Sequence, residues 1–342
     1  RALQEMSRPG EVVAAATKPV LLINPRSGDG KAQRIGLMER AEARGIECRR
    51  FGDDVPLRDL AEQAVQEGAD VIGVAGGDGS QAVVADAVRR AGIAMVVIPT
   101  GTRNHFAMDL GLDRNDPAAG LDAFGPAREK VVDMGQVNGT AFINNVSMGI
   151  YGSVVQRATY RERKLETAME ELPTLVADPP QLTFIGPDGQ QHSTVHVVLV
   201  SNNPYLLEVR GAGGRPRLNT GELGIVTAEL SSAAGVTEMF ARAALGALAS
   251  SPGFNAWSAT SFEVDSQTKI AAGVDGEAVE LTAPAVFEIL PAALRIRIPL
   301  TAIGRSPAAF VVDFRRAFSE LFRRAFLPVQ DGYAEGIIRA VM

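Results

Sequence analysis

Asp78 could do chemistry, because it is surrounded by glycines directly after an apolar segment. The stretch VIGVAGGDGSQAV (71–83) places Gly76, Gly77 and Gly79 around a single carboxylate. Glycine loses more backbone entropy on folding than any other residue, so this cluster indicates a close approach of the main chain to something else. A carboxylate in such a loop suits proton transfer or the binding of a hard cation.

Two further glycine-containing loops also follow apolar segments, NPRSGDGKA (24–32) and PTGTRNHFA (99–107). If the segments are parallel strands, their carboxyl ends share one sheet edge and the three loops converge on one cleft. Main-chain N–H groups, neutral polar side chains and cations in such a cleft suit an anionic phosphate. The candidate binding residues are Ser27, Gly28, Lys31, Gly76, Gly77, Asp78, Gly79, Ser80, Thr100, Gly101, Thr102 and Asn104.

The negative charge of Asp78 limits which ligands the cleft could bind. A carboxylate facing triphosphate oxygens would be repelled, and a Mg²⁺ ion between them turns the repulsion into a bridge. Neither G-x-x-x-x-G-K-[ST] nor G-x-G-x-x-G is present, which disfavours a P-loop enzyme and a Rossmann dehydrogenase. The alternative is that the glycines are only turn residues, and three such loops together weigh against it.

The elements that would position these loops follow from the apolar patterning. Short apolar segments alternate with helical patterns up to about residue 100, which predicts a parallel sheet covered on both faces. After residue 133, short segments bounded by Gly, Pro, Asn or Asp predict an antiparallel sandwich or barrel. The expected divisions are a disordered segment (1–17), an α/β nucleotide-binding domain (18–134), a β-rich domain (135–300) and a helical tail (301–342).

Composition limits the class of protein. The net charge of −6 does not suit a nucleic-acid binder. No apolar run is long enough for a membrane span, and residues 1–17 show no signal-peptide pattern. The single cysteine, Cys48, fits a reducing cytoplasm, and three histidines make a structural zinc site unexpected.

In its ordered motifs the sequence resembles the diacylglycerol kinase catalytic-domain family, which includes bacterial lipid kinases and sphingosine kinases. The resemblance rests on NPRSGDGK, GGDGS, PTGTRNHFA, Asp133-Met134-Gly135, SNNPYL, GELGIV and VDGE (274–277). It implies a first domain similar to NAD kinases and phosphofructokinases, and a β-rich lipid domain beyond the cleft. It also implies ATP-dependent phosphorylation of a lipid hydroxyl, with diacylglycerol as the default acceptor and a sphingoid base or another lipid alcohol as alternatives.

The resemblance also implies roles for particular residues. Asn24, Ser27 and Thr102 would line the nucleotide cleft, and Asp275-Gly276-Glu277 would return across it. Asp78, Asp275 and Glu277 are the catalytic candidates, and Asp78, Asp133 and Asp275 are the candidate Mg²⁺ ligands, directly or through water. Which carboxylate is the base stays open, and Asp133 reads equally well as a turn or cap residue. Arg161 could reach the phosphates, although solvated surface charge explains it as well.

The sequence departs from the family pattern at several places. The helix after GGDGS reads QAVVAD without the usual Asn-Glu pair, and His105, Tyr151 and Thr220 stand where aspartate is common. These changes leave open the lipid acceptor, a second metal, and an alternative in which the protein is a catalytically inert nucleotide-binding module.

Residues 308–327 form a strongly amphipathic pattern with Phe310, Phe314, Phe318 and Leu321 on one helical stripe. Packing on the first domain or on a second copy in a homodimer is one interpretation. Peripheral contact with the inner face of a membrane is the other, since the predicted substrate is a lipid.

Overall fold

The computed structural model describes residues 10–52, 55–149, 181–193, 195–207, 214–229, 242, 251 and 253–310. The helices whose bounds fall there are α1 (Ser27–Arg34), α2 (Leu37–Glu42), α3 (Leu57–Gln66), α4 (Asp78–Ala91), α5 (His105–Asp109) and the 3₁₀ helix Pro117–Phe124, and residues 307–310 are also helical. The strands up to residue 149 are β1 (Glu11–Val13), β2 (Pro19–Ile23), β3 (Glu47–Arg50), β4 (Val71–Gly76), β5 (Ala94–Pro99), β6 (Ala127–Val137), β7 (Thr140–Phe142) and β8 (Asn145–Gly149). The later strands are β9 (Phe184–Ile185), β10 (Gln191–His192), β11 (Val197–Asn202), β12 (Leu223–Ala228), β13 (Phe254–Ala259), β14 (Ser261–Val264), β15 (Ile270–Val274), β16 (Glu277–Leu281) and β17 (Ala285–Pro299).

The first sheet has the order β1-β6-β17-β5-β4-β2-β3, with β7 on β6 and β14 on β17. Strands β2, β3, β4 and β5 are parallel to their neighbours, as the alternating pattern predicted. Every residue of β4 and β5 is buried, because helices cover both faces of the sheet. One face packs on α3 and α4, and the other packs on α1, α2 and the 3₁₀ helix.

The second sheet is antiparallel throughout, in the order β13-β12-β11-β8-β15-β16. A core of aromatic and branched side chains lies between it and the far ends of β6 and β17. The predicted fold class, a parallel α/β domain followed by a β-rich antiparallel domain, is confirmed.

Strands β6 and β17 are long enough to serve both cores. Val137 and Phe287 pack in the second core, whereas Val132, Leu294 and Ile296 pack in the first. The register between the two strands shifts between Leu290 and Leu294. The predicted domain division near residue 134 therefore falls inside a strand, and residues 295–297 of β17 pair in parallel with β5 of the first domain.

Residues 1–17 were expected to be disordered, but the described part of this segment is ordered. Strand β1 pairs antiparallel with β6. Arg297 donates a hydrogen bond to the carbonyl of Ala14 at 2.6 Å, and the amide of Ala16 donates to the carbonyl of Phe124 at 2.8 Å. Main-chain bonds to distant residues hold this segment, and its own composition carries no signal of them.

Candidate active site

The three glycine loops meet at the carboxyl ends of β2, β4 and β5, and they pack main chain against main chain. A Cβ atom built on Gly28 would lie 2.2 Å from the carbonyl oxygen of Thr100. A Cβ atom built on Gly101 would lie 2.4 Å from the Cα atom of Gly77. Real Cβ atoms do not approach other atoms this closely, so glycine is required at both positions. The first loop therefore contacts the third, and the third contacts the second.

The first loop turns through three successive left-handed residues, with φ angles of 56° at Gly28, 56° at Asp29 and 75° at Gly30. Asn24 shapes its start, because its Oδ1 accepts a hydrogen bond from the amide of Arg26 at 3.0 Å. Lys31 follows the turn, and its Nζ donates to the carbonyl of Arg114 at 2.5 Å. The cation predicted for phosphate neutralisation is thus held at the loop by a main-chain acceptor.

The third loop is shaped by Asn104, which is buried and has a φ angle of 56°. Its side chain accepts a hydrogen bond from the amide of Gly101 at 3.1 Å and donates to the carbonyl of Gly101 at 2.5 Å. Asn104 therefore holds the turn closed, and its contact with phosphate stays a prediction. Thr102 is exposed, and the fully buried Thr100 hydroxyl has no hydrogen-bond partner among the described residues.

Asp78 is the first residue of α4 and is only partly buried. Its carboxylate accepts hydrogen bonds from the amides of His105 and Phe106, both at 3.1 Å. These two amides begin α5, so Asp78 ties the second loop to the third. An ionised carboxylate has about four lone-pair sites, and the two amides leave about two for another ligand.

Asp275 lies in the turn between β15 and β16, with a φ angle of 48°. Its carboxylate is buried and accepts hydrogen bonds from the amides of Ile143 (2.9 Å), Asn144 (2.7 Å) and Asn145 (3.1 Å). Burial raises the pKa of Asp275 to about 6, the three amides act in the opposite direction, and the negative charge of Asp78 raises the pKa further. Asp275 and Asp78 therefore lie within electrostatic reach of each other.

Glu277 begins β16 and is exposed. It reaches the second loop, because a Cβ atom on Gly79 would lie 3.2 Å from both its Cγ and its Oε1. The structure thus brings Asp78, Gly79, Asp275 and Glu277 to one cleft between the two domains. The predicted return of the Asp275-Gly276-Glu277 turn across the cleft is what the geometry shows.

Asp133 forms hydrogen bonds with segments that are distant from it along the chain. It is buried, and its Oδ2 accepts from Asn203 Nδ2 and the Gly221 amide, both at 2.8 Å. Its Oδ1 accepts from the amide of Ala292 at 2.8 Å. Three protein donors already surround this carboxylate, so it joins distant segments of the chain. Its part in a metal's water network stays a prediction. Among the described residues, no group of three His, Cys, Asp or Glu side chains is arranged to hold a metal ion.

Asp109 and Arg215 were not predicted from the sequence, and they form a buried ion pair beside the cleft. The distance between Arg215 Nε and Asp109 Oδ2 is 2.7 Å. Nothing in the local sequence marks Arg215, because the stretch GGRPRLN resembles an exposed loop. Arg161 and Tyr151, which sequence reasoning did single out, lie outside the described residues.

A cavity of about 520 Å³ in the second domain lies between the β9–β10 hairpin and strands β14 and β17. Its lining mixes apolar and acidic side chains and includes neither Asp275 nor Glu277, so it is separate from the cleft. It is lined by Thr183, Phe184, Ile185, Gln191, Ser261, Phe262, Glu263, Asp265 and Val286. No helix in the described ranges is long and apolar enough to cross a bilayer.

Comparison with known families accounts for both domains. A family model described as the diacylglycerol kinase catalytic domain matches residues 18–137. A second model, described as the YegS C-terminal NAD kinase beta sandwich-like domain, matches residues 144–298. The chain therefore belongs to the diacylglycerol kinase catalytic-domain family, with the C-terminal domain found in YegS.

Individual relatives agree with this assignment. A probable YegS-like lipid kinase of Pseudomonas aeruginosa is 26% identical over 311 residues, covering 82% of this chain and 94% of the relative. A diacylglycerol kinase of Mycobacterium tuberculosis is 32% identical over 124 residues, which is 35% of this chain and only 40% of that protein. The solved structure of a diacylglycerol kinase from Bacillus anthracis aligns with a TM-score of 0.61 at 16% identity, covering 85% of this chain and 100% of that one. The structural likeness shows a shared fold.

Proposed function

We propose that this protein is an ATP- and Mg²⁺-dependent lipid kinase that phosphorylates a lipid hydroxyl, with diacylglycerol as the acceptor and phosphatidate as the product. One observation carries the proposal. Asp78, at the junction of three converging glycine loops, lies opposite the Asp275-Gly276-Glu277 turn of the other domain. Phosphoryl transfer requires such a cleft, with main-chain donors for phosphates on one wall and a group that takes a proton on the other.

Different residues of the cleft would bind the phosphates and accept the proton of the lipid hydroxyl. The left-handed turn at Gly28–Gly30 and the amino terminus of α4 present main-chain donors to the phosphates. Glu277 is exposed and lies against Gly79, so it is placed to take the proton of the acceptor hydroxyl as the γ-phosphoryl group moves to that oxygen and ADP leaves. Asp275 is oriented by three amides.

The donor set fits a magnesium ion. Asp78 keeps about two unused lone-pair sites, and carboxylate oxygens together with water are the ligands that Mg²⁺ prefers. When bound, the ion would neutralise phosphate charge that Asp78 alone would repel. Asp275 would contribute through its remaining lone pair or through water.

The decisive experiment is a kinase assay with ATP, Mg²⁺ and a panel of lipids, comparing wild type with Asp78→Asn. We expect wild type to convert diacylglycerol to phosphatidate, and Asp78→Asn to lose at least a hundredfold in kcat, because an amide carries no negative charge with which to hold the cation. The variant should still fold, with a lower melting temperature, because its NH₂ group faces the amide of His105 or Phe106. Retained turnover would remove Asp78 from the mechanism.

The same assay separates the alternatives. Phosphorylation of a sphingoid base in place of diacylglycerol would keep the kinase and change the acceptor. Binding of nucleotide with no phospholipid product across the panel would favour an inert nucleotide-binding module. Phosphorylation of NAD would place the protein with the NAD kinases.

The surface around residue 303 supports peripheral contact with a lipid surface. Leu300, Ile303 and Phe310 are 43%, 69% and 47% exposed. The guanidinium of Arg305 lies 4.9 Å from the centre of the Phe310 ring. Burial lowers the pKa of Lys130, and the charges of Arg305 and Arg128 act in the same direction. Lys130 donates a hydrogen bond to the carbonyl of Gly304, so Lys130 and Arg305 are two cations near this apolar surface. Exposed apolar side chains beside cations suit an anionic bilayer.

A further inference from the structure

Arg215 has an unusual place for an arginine, because its side chain is fully buried beside the cleft. Its Nε and its main-chain amide both bond to Asp109, at 2.7 Å and 3.0 Å. Its Nη1 donates to the carbonyls of Ile143 (2.6 Å) and Asn202 (2.9 Å). Its Nη2 donates to Asn144 Oδ1 at 2.7 Å. The planar guanidinium therefore has an acceptor at every nitrogen.

The hydrogen-bond partners of Arg215 connect it to two carboxylates of the cleft, those of Asp78 and Asp275. Asp109 ends α5, and the first amides of the same short helix hold the carboxylate of Asp78. On the other side, Ile143 and Asn144 accept from Arg215 through oxygen atoms and hold Asp275 through their amides. Each of these two segments thus contacts Arg215 on one side and an active-site carboxylate on the other.

We propose that Arg215 is a positioning residue for phosphoryl transfer, which fixes the spacing between Asp78 and Asp275 by joining α5 of the first domain to residues 143–144 of the second. The inference rests on the proposed function. A single rigid fork with five donors can hold both segments at once, whereas an ammonium group offers its donors from one point. Catalysis is sensitive to errors of about 1 Å in such spacing.

The chain supplies a control for stability. Arg297 is 5% exposed and donates to the carbonyls of Ala14 and Gly125, both at 2.6 Å. Arg297 also interacts electrostatically with Asp70, which directly precedes β4, whereas the glycine loops follow the carboxyl ends of the parallel strands. Arg297→Met therefore removes a buried guanidinium without touching the carboxylates. Arg215→Lys keeps the charge and removes only the fork.

The test measures kcat, KM for ATP and melting temperature in wild type, Arg215→Lys, Arg215→Met and Arg297→Met. We expect both Arg215 variants to lose at least tenfold in kcat with KM for ATP changed less than threefold. Arg297→Met should keep kcat within twofold despite a comparable fall in melting temperature. If Arg215→Lys kept the kcat of wild type, the proposal would be overturned, because a positive charge without the guanidinium fork would then be sufficient for catalysis.

Two further measurements keep the test decisive. If Arg215→Met does not fold, the double variant Asp109→Asn/Arg215→Met removes both charges together. Once folding is restored, its kcat should stay at least tenfold below that of wild type.

Hydrogen exchange of the free full-length proteins needs no substrate. Amides of residues 105–106 and 143–145 should exchange at least tenfold faster in Arg215→Lys and remain unchanged in Arg297→Met. If wild type phosphorylates no lipid, the proposed function fails, and unchanged exchange in Arg215→Lys overturns the positioning role separately.

Discussion

Two carboxylates of the cleft are held in contrasting surroundings. Asp78 is partly exposed and accepts two amides, while Asp275 is buried and accepts three. Burial dominates at Asp275 and outweighs the amides, which is why its pKa rises to about 6. A group with this pKa changes charge near neutrality, so the charge of Asp275 in the cleft depends on pH.

This difference predicts how stability depends on pH in the metal-free protein. The pKa of Asp275 is 3.8 in its ordinary state and about 6 in the fold, so between these values the folded protein keeps a proton that the unfolded chain releases. Stability therefore falls as pH rises through this window, by up to about 3 kcal/mol from this group. Asp275→Asn cannot titrate, and we expect its free energy of unfolding to gain about that amount relative to wild type between pH 4 and pH 7.

Urea unfolding in EDTA at several pH values measures the effect. The amide NH₂ of the variant faces the amide of Ile143 or of its neighbours, which lowers the stability of the variant equally at every pH. This cost does not affect how the difference between variant and wild type changes with pH. A difference between variant and wild type that is constant with pH would contradict the prediction.

At the scale of elements, the site depends on three loops whose main chains touch. Parallel strands β2, β4 and β5 bring the loops to one edge, and glycine at residues 28 and 101 lets them close. The order of strands and glycines was readable from sequence, because both follow from local patterning. The contact between Gly101 and Gly77 was not, because it depends on how far each loop turns.

Gly101→Ala tests this packing. Its Cβ would lie 2.4 Å from the Cα atom and 2.9 Å from the amide nitrogen of Gly77, and main-chain atoms cannot rotate away. We expect a loss of about 1–3 kcal/mol in stability and at least a tenfold weaker affinity for ATP, measured by thermal unfolding and calorimetry.

Gly92→Ala is the matched control. Gly92 has a φ angle of 69° and no atom within 4 Å of an added Cβ, so the change costs about 1–2 kcal/mol of backbone strain and touches nothing. Its affinity for ATP should equal that of wild type. Equal affinities in the two variants would show that the loop contact does not shape the nucleotide site.

For the molecule as a whole, strands β6 and β17 of the first sheet contribute to both hydrophobic cores and so join the two domains. The cleft therefore lies between domains that share strands, and Arg215 adds a second connection close to the chemistry. The apolar surface at Leu300, Ile303 and Phe310 follows directly after β17. An enzyme acting on a lipid would use such a surface to approach its substrate.

Vesicle sedimentation tests this proposal for the membrane surface. Ile303→Glu should lower the fraction bound to vesicles containing anionic phospholipid at least fivefold, because it places charge among the exposed apolar side chains. Raised salt should weaken wild-type binding by screening the cations.

Val131→Glu is the control for this experiment. Val131 is 46% exposed, but it follows Lys130 in β6, so its side chain points to the face of the strand opposite to that of Lys130. Equal losses in both variants, or none in Ile303→Glu, would contradict a lipid-binding surface there.

The sequence alone determined the features that depend on neighbouring residues: the parallel and antiparallel patterns, the three glycine loops and the carboxylate of Asp78. The carboxylates at residues 275 and 277 were expected from the resemblance of the ordered motifs to a known family. The tertiary structure decided which polar groups are already partnered. Asp133 is surrounded by donors from residues 203, 221 and 292, and Arg215 bonds to residues 109, 143, 144 and 202. The ordering of β1 has the same origin in its pairing with β6. Hydrogen-bond partners so far apart along the chain leave no local pattern, because only the fold brings them within bonding distance.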